Sequence, residues 1–474
     1  MRTSILAICW SMAAAWAQRP AALPKLSVDA GKRFLVSEKG EAFFWLGDTA
    51  WELFHRANRQ EAIDYLDIRA SQGYNVVQIV ALAEFDGVKT PNAFGDLPLT
   101  GYDPSKPAVT PGANPKNAAE YDYWDHVDFI VDEANRRGIY VGFLPTWASW
   151  AEPNRGEPAI LTVENSVTYG EFLGKRYGKK GVIWVLGGDR IADGREPLWR
   201  SLAKGIAIGV AGKEDYSAVL MTFHPRGGLT SSKNFHNDEW LDFNMHQTGH
   251  GLSETVKPWD KIAKDYALQP VKPVMDGEPL YEDHPLAFRA AVNGYSLDAH
   301  VRQRVYWDIF SGAFGVTYGN HSVWQMFSPE KRPVNGPILT WRDALRRPGA
   351  EQMKYLKALI ESRPMLSRVP DQSLVADTLD NVDKIVATRG DGYALIYTAQ
   401  GRKFTVNLGK ISGGKLKAHW FNPRSGGAWP VESVDNRGTK EFLPPAEGFS
   451  ADWVLVLDDE AKGYGVPGQG KAKR

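Results

Sequence analysis

Two acids stand directly past apolar runs in this chain: Asp189 in "VIWVLGGDR" and Glu278 in "KPVMDGEP". Cleaving a glycosidic bond needs such a pair, one carboxyl to protonate the leaving oxygen and one to attack the anomeric carbon or activate water. In the first segment the bulky residues give way to Gly187 and Gly188, which let the backbone bend and leave room for a ligand. Arg190 or a histidine can then set the charge state of Asp189. No other pair of acids in the sequence is placed so well for this chemistry.

The position just past an apolar run recurs along the chain with polar and aromatic residues. Asp48 and Trp51 follow the first run, Glu84 and Asp86 the second, and Trp147 the third. Arg190 adjoins the proposed acid, His224 closes the fifth run, and His246 and Gln247 close the sixth. Tyr318, His321 and Trp324 follow the eighth. A hydroxyl-rich ligand needs directed hydrogen bonds at its edge and a flat apolar surface for its C–H face. These residues, Asp86 aside, are therefore the expected substrate-binding set, and 17 Trp, 18 Tyr and 20 Phe supply ample stacking surface. Each also has a plainer reading, since an Asp after a strand often caps the next helix and a His is often a hydrogen-bonded core residue.

Other chemistries fit less well. A metallohydrolase would use the same histidines, but there is no His-x-His pair and no His-Glu-x-x-His helix. A serine hydrolase would need a G-x-S-x-G elbow, which does not occur. No metal and no cofactor are expected. The 56 Lys and Arg balance 56 Asp and Glu, so nothing points to nucleic acid or an anionic membrane. A barrel that binds glycan without turning it over is the competing reading from another class.

Positioning these side chains at one mouth requires a particular frame. Eight short apolar runs begin near Phe43, Asn75, Tyr140, Val182, Ala218, Leu241, Val271 and Ala313. Helical patterns separate them. Ile63, Leu66 and Ala70 fall on one face before Gly73, and Trp124, Val127, Val131 and Ala134 do so before Gly138. This alternation predicts an α/β fold, a (β/α)8 TIM barrel over residues 25–365, with chemistry at the carboxyl ends of its strands. The Pro- and Gly-rich stretch from Glu84 to Asn117 is then a loop over the mouth and a wall of the substrate cleft.

Beyond Asp371 short alternating runs predict a small antiparallel β-sandwich over 371–459, and the Gly-rich, basic 460–474 reads as a flexible tail. At the other end, residues 1–17 read as a signal peptide, with Arg2, a short apolar stretch and Ala15-Trp16-Ala17. That run is too short to span a bilayer. It predicts export to the periplasm or the extracellular space, and Cys9, the only cysteine, would leave with it.

Several of these segments together resemble a known family. "LGDTAWELFHR", "GFLPTW", "VIWVLGGDR", "MTFHPRGG", "LDFNMHQTGH", "KPVMDGEPLYEDHP" and "GVTYGNHSVWQMF" are similar to the apiosidase-like catalytic domain of glycoside hydrolase family 140. "KAHWFNPRSGGAW" and "DWVLVLD" resemble the domain, labelled collagen-binding, that usually follows it. The resemblance implies a clan A type barrel that retains anomeric configuration. By motif Asp189 would be acid/base and Glu278 nucleophile, the pair already reached from the residues. It further implies a poly- or oligosaccharide substrate, with apiosyl linkages of pectic rhamnogalacturonan II foremost. One departure is that the strand-four acid is Asp after Gly, where the wider clan has Glu after Asn; the shorter side chain requires closer backbone approach.

Overall fold

Runs of β-branched and aromatic residues too short for helices, and buried on both faces, become parallel strands. The computed structural model describes residues 23–85, 87–153, 159–377 and 379–470. Its central sheet comprises β1 (Trp45–Thr49), β2 (Val76–Leu82), β3 (Tyr140–Thr146), β4 (Val182–Gly187), β5 (Met221–His224), β6 (Asn244–His246), β7 (Val274–Asp276) and β8 (Gly315–Tyr318). Hydrogen bonding runs in the order β5-β4-β3-β2-β1-β8-β7-β6, parallel throughout. Between β5 and β6 the ring closes through Asp242 N donating to Met221 O at 2.9 Å and Thr222 Oγ1 donating to Phe243 O at 2.7 Å. The predicted (β/α)8 barrel is thus present and nearly closed.

Local signals place the surrounding helices. α1 (Arg59–Ser71) starts on a capping box between Asn58 and Glu61, and α2 (Tyr123–Arg136) on one between Asp122 and Asp125. α2 buries Trp124, Val127, Val131 and Ala134, as its periodicity requires. α1 is rotated from expectation: its buried residues are Ala62, Tyr65, Leu66 and Arg69, while Ile63 and Ala70 are only half-buried. The cause is Asp48, whose Oδ2 accepts from Arg69 Nε at 2.6 Å and Tyr65 OH at 2.5 Å, drawing the polar face of the helix inward. Two later helices matter below, α3 (Pro258–Tyr266) and α4 (Asp298–Phe310).

The carboxyl-terminal part is a seven-stranded antiparallel sheet with a two-stranded one, Phe404–Asn407 and Thr439–Phe442, packed on it around Leu374, Ile396, Trp420 and Leu455. Its other face joins the barrel core: Tyr397 stacks on Tyr306 of α4 at 4.8 Å, and Asp452 accepts from Arg302. Residues 460–470, expected as a flexible tail, are anchored instead. Arg363 Nη2 donates to Gly465 O at 3.0 Å, and Gly468 N donates to Ser362 Oγ at 3.1 Å. The expected signal segment 1–17 and residues 471–474 lie outside the described residues. No helix among the described residues is long and apolar enough to cross a membrane.

Candidate active site

Glu278 follows β7 by two residues and sits at the floor of the mouth, 5% exposed. Its carboxylate stands between two imidazoles: Oε2 is 3.1 Å from His224 Nε2, and Oε1 is 3.1 Å from His250 Nε2. The His250 contact is an aligned hydrogen bond, whereas neither ring nitrogen of His224 makes one. Trp51 edge-on at 5.3 Å and Trp147 at 5.8 Å hold the His224 ring. Burial alone would raise the carboxyl, but the close approach of the two imidazoles outweighs it and holds Glu278 down to about 2. Beside it, Tyr281 OH accepts from Trp51 Nε1 at 3.1 Å. Burial and then the Glu278 charge keep that phenol protonated, well above its usual range.

Asp189 is presented by an unusual backbone. Gly187, Gly188 and Asp189 have φ of 88°, 128° and 51°, a run of left-handed conformations that carries the chain sharply away from β4. A Cβ on Gly187 would lie 2.4 Å from His224 O, and one on Gly188 would lie 2.6 Å from Trp147 Cε3. The glycines therefore let the turn press against two walls of the site. The Asp189 side chain is 37% exposed, with Oδ1 3.4 Å from Gly227 N and Oδ2 3.5 Å from Arg190 Nη1. Its surroundings and then the charge of Glu278 raise its pKa, with His224 and Arg190 opposing. One mouth therefore holds one carboxyl stabilised as the anion and another biased toward its acid, the division of labour of a nucleophile and a general acid.

A cleft of ≈ 730 Å³ extends from Arg190 and Glu84. Phe85 and residues 89–93 of the loop after β2 form one wall, and Lys331 to Asn335, after β8, form another. Burial and then the Asp189 charge push Glu84 up to about 8. A second cavity, ≈ 680 Å³, lies at the opposite end of the barrel beside Leu23, Tyr140 and Lys180 and touches none of these acids.

The expected binding residues divide into two groups. Trp51, Glu84, Trp147, Arg190 and His224 gather around Asp189 and Glu278, and Trp324 joins the cleft wall by packing on Phe85 at 5.5 Å. Gln247 approaches Gly227 beside Asp189, its Oε1 buried without a partner. Four residues turn elsewhere. Asp48 is fully buried against Arg69, and Tyr318, its register partner, donates to Glu282 Oε2 at 2.6 Å in the same outer layer. His246 Nε2 faces Asp265 of α3 at 2.9 Å. His321, fully buried, accepts from Trp324 Nε1 at 3.3 Å through Nδ1 and places Nε2 3.2 Å from Asn335 O. The strand-end histidines His224, His246 and His321 thus have three separate partners. Asp86 lies outside the described residues.

Sequence reasoning missed the direct neighbours Tyr281 and Gln78, the latter donating to Gly277 O at 2.8 Å. It also left His250 unassigned to the ligand. Tyr281 had a signal, since it lies three residues past Glu278 in the same segment; Gln78 had only its polarity within an apolar strand.

Comparison with known proteins agrees with this architecture. Residues 29–367 match the family described as "Apiosidase-like, catalytic domain", and residues 369–458 the one described as "Putative collagen-binding domain of a collagenase". A crystal structure described as a glycoside hydrolase family 5 protein from Bacteroides vulgatus ATCC 8482 is 35% identical with a TM-score of 0.84, over 95% of this chain and 97% of that one. Another, described as a glycoside hydrolase, is 36% identical with a TM-score of 0.82, over 92% and 97%. A second Bacteroides vulgatus protein, 15% identical with a TM-score of 0.63 over 92% and 82%, shares the fold. No curated protein matches the chain.

Proposed function

We propose, from the premise that this chain belongs to the apiosidase-like family and is a glycoside hydrolase, that it cleaves with retention and releases apiose from pectic glycans. The observation that carries the mechanism is the opposed bias of the two carboxyls, with Glu278 ionised between His224 and His250 while Asp189 is raised. Glu278 attacks the anomeric carbon as Asp189 protonates the departing oxygen, giving a glycosyl ester on Glu278. Asp189, now a carboxylate, takes a proton from water as that water attacks the same carbon; the sugar leaves and both carboxyls are restored. Trp51 and Trp147 supply apolar surface beside the reacting sugar.

The cleft supports an acidic aglycone. Lys89, Arg190, Lys331 and Arg332 line it, a positive set against Glu84 and Glu152, and pectic backbones are rich in uronate carboxylates. We assign rhamnogalacturonan II side chains as the substrate, and export through residues 1–17 fits a polymer outside the cell. The second domain acts as a brace, a role supported by its shared core with the barrel.

The test is incubation with apiose-, arabinose- and rhamnose-containing pectic oligosaccharides, identifying the released sugar and its first anomer. Release of apiose with retained configuration is expected. Release of another sugar overturns the substrate, and an inverted first product overturns the double displacement. Asp189→Ala should lower kcat by about 10²–10⁴ on natural glycan, and Glu278→Ala should abolish turnover. If both variants cleaved normally, the assignment of the pair would be wrong.

A further inference from the structure

Beneath Glu278 lies a second pair of acids that the cleavage steps do not use. Asp276 ends β7 and Asp308 sits in the last turn of α4, and both are fully buried. On one side Asp276 is held by donors: Oδ1 accepts from Glu278 N at 3.1 Å and Thr248 N at 3.3 Å, and Oδ2 accepts from Thr248 Oγ1 at 2.5 Å. On its other side α4 packs against β7 and brings the Asp308 carboxyl close enough for the two charges to act on each other. Neither Asp308 oxygen receives a donor from the protein, and an ionised carboxylate without donors is among the costliest groups to bury.

The compensating charge is Arg304, one turn earlier on α4 and fully buried. Its Nη2 donates to Gly251 O, while Nε and Nη1 have no partner. Glu254 faces Arg304, Lys261 of α3 faces Asp276, and His246, also facing Asp276, pairs with Asp265. Within the buried layer two carboxylates meet one guanidinium, leaving one negative charge uncompensated. A single proton held between the carboxyls removes that charge and supplies the donor Asp308 lacks.

We propose that Asp276 and Asp308 share one proton at neutral pH, and that the bridged pair is the positioning element that fixes the Glu278 backbone for attack. The second half rests on Glu278 being the nucleophile. Burial raises both carboxyls, and the Asp276 charge raises Asp308 further. A folded pKa above the unfolded one gives stability that is complete below the unfolded carboxylate value, about 3.9, and is lost as pH climbs through the folded value. An amide at position 308 donates N–H to Asp276 without needing that proton.

The experiment measures Tm against pH for the full chain, wild type beside Asp308→Asn and Asp276→Asn. The expected result is a gap that widens in favour of both Asn variants as pH rises. A gap that does not change with pH overturns the shared proton, and if one variant does not fold the other carries the same reading. Asp276→Ala, which removes both acceptors, should lower kcat at least tenfold with KM within twofold, and Asp276→Asn should restore most of it. Wild-type turnover in Asp276→Ala overturns the positioning role. The Tm readout needs no substrate, so it stands or falls apart from the nucleophile assignment, which Glu278→Ala tests.

Discussion

His224 Nε2 lies 3.1 Å from Glu278 Oε2, and the imidazole is clamped there by Trp51 and Trp147 without an aligned hydrogen bond through either nitrogen. With His250 on the other oxygen, it keeps Glu278 ionised down to about 2 in a place where burial favours the acid. His250→Ala or His224→Phe should therefore raise the Glu278 pKa and move the acid limb of kcat/KM to higher pH. Because the folded pKa is depressed, the carboxylate contributes stability above its unfolded value and loses it as pH falls toward about 2. Either variant should lose that contribution at higher pH than the wild type, as followed by Tm. Limbs unmoved in both variants would show that the imidazoles do not set this charge.

Glu278 is in turn a cause of the raised Asp189. Glu278→Gln should lower the Asp189 pKa, read by ¹³C carboxyl titration in the inactive variant. An Asp189 titration identical to the wild type would place the carboxyls too far apart to act on one bond.

Gly188 combines φ of 128° with a Cβ position 2.6 Å from Trp147 Cε3. Gly188→Ala should cost about 1–3 kcal/mol and lower kcat/KM, because relief of the clash moves Asp189 or Trp147. Gly194→Ala, at φ of 78° with nothing within 4 Å, is the control for backbone strain alone. Equal loss of kcat/KM in the two variants would contradict the close approach as the reason for glycine at 188.

Arg69→Met leaves Asp48 buried without its cation, a change that typically costs about 3–5 kcal/mol. Urea unfolding should show that loss, while KM of the folded fraction stays at the wild-type value, since neither residue faces the cleft. A large rise in KM with unchanged stability would return Asp48 to the binding site.

The comparison of Asp48 with Asp189 shows why strand-end reasoning works only in part. Both follow apolar runs at the same end of the barrel. Asp48 is still within β1, where alternation sends its side chain outward to Arg69 and Tyr65. Asp189 lies beyond β4, where three left-handed residues turn it toward Gly227 at the mouth. Tyr318 follows Asp48 outward because the two are register partners. A run of apolar residues sets height along the barrel, but it does not say which way the next polar side chain turns.

The eight apolar runs and the glycines that end helices between them pointed to the barrel, since burial on both faces and a helix stop are local properties of the chain. Asp189 and Glu278 could be placed at strand ends in the same way, but Asp48, an acid at such an end that serves only structure, shows that position alone does not assign a role. The meeting of Glu278 with His224 and His250, the diversion of His246 to Asp265, and the burial of Asp276 and Asp308 beneath the mouth were decided only by tertiary structure. Each depends on contacts between separate β/α units, and the charge of a buried carboxyl is set by whichever donors and charges those units bring within a few ångströms.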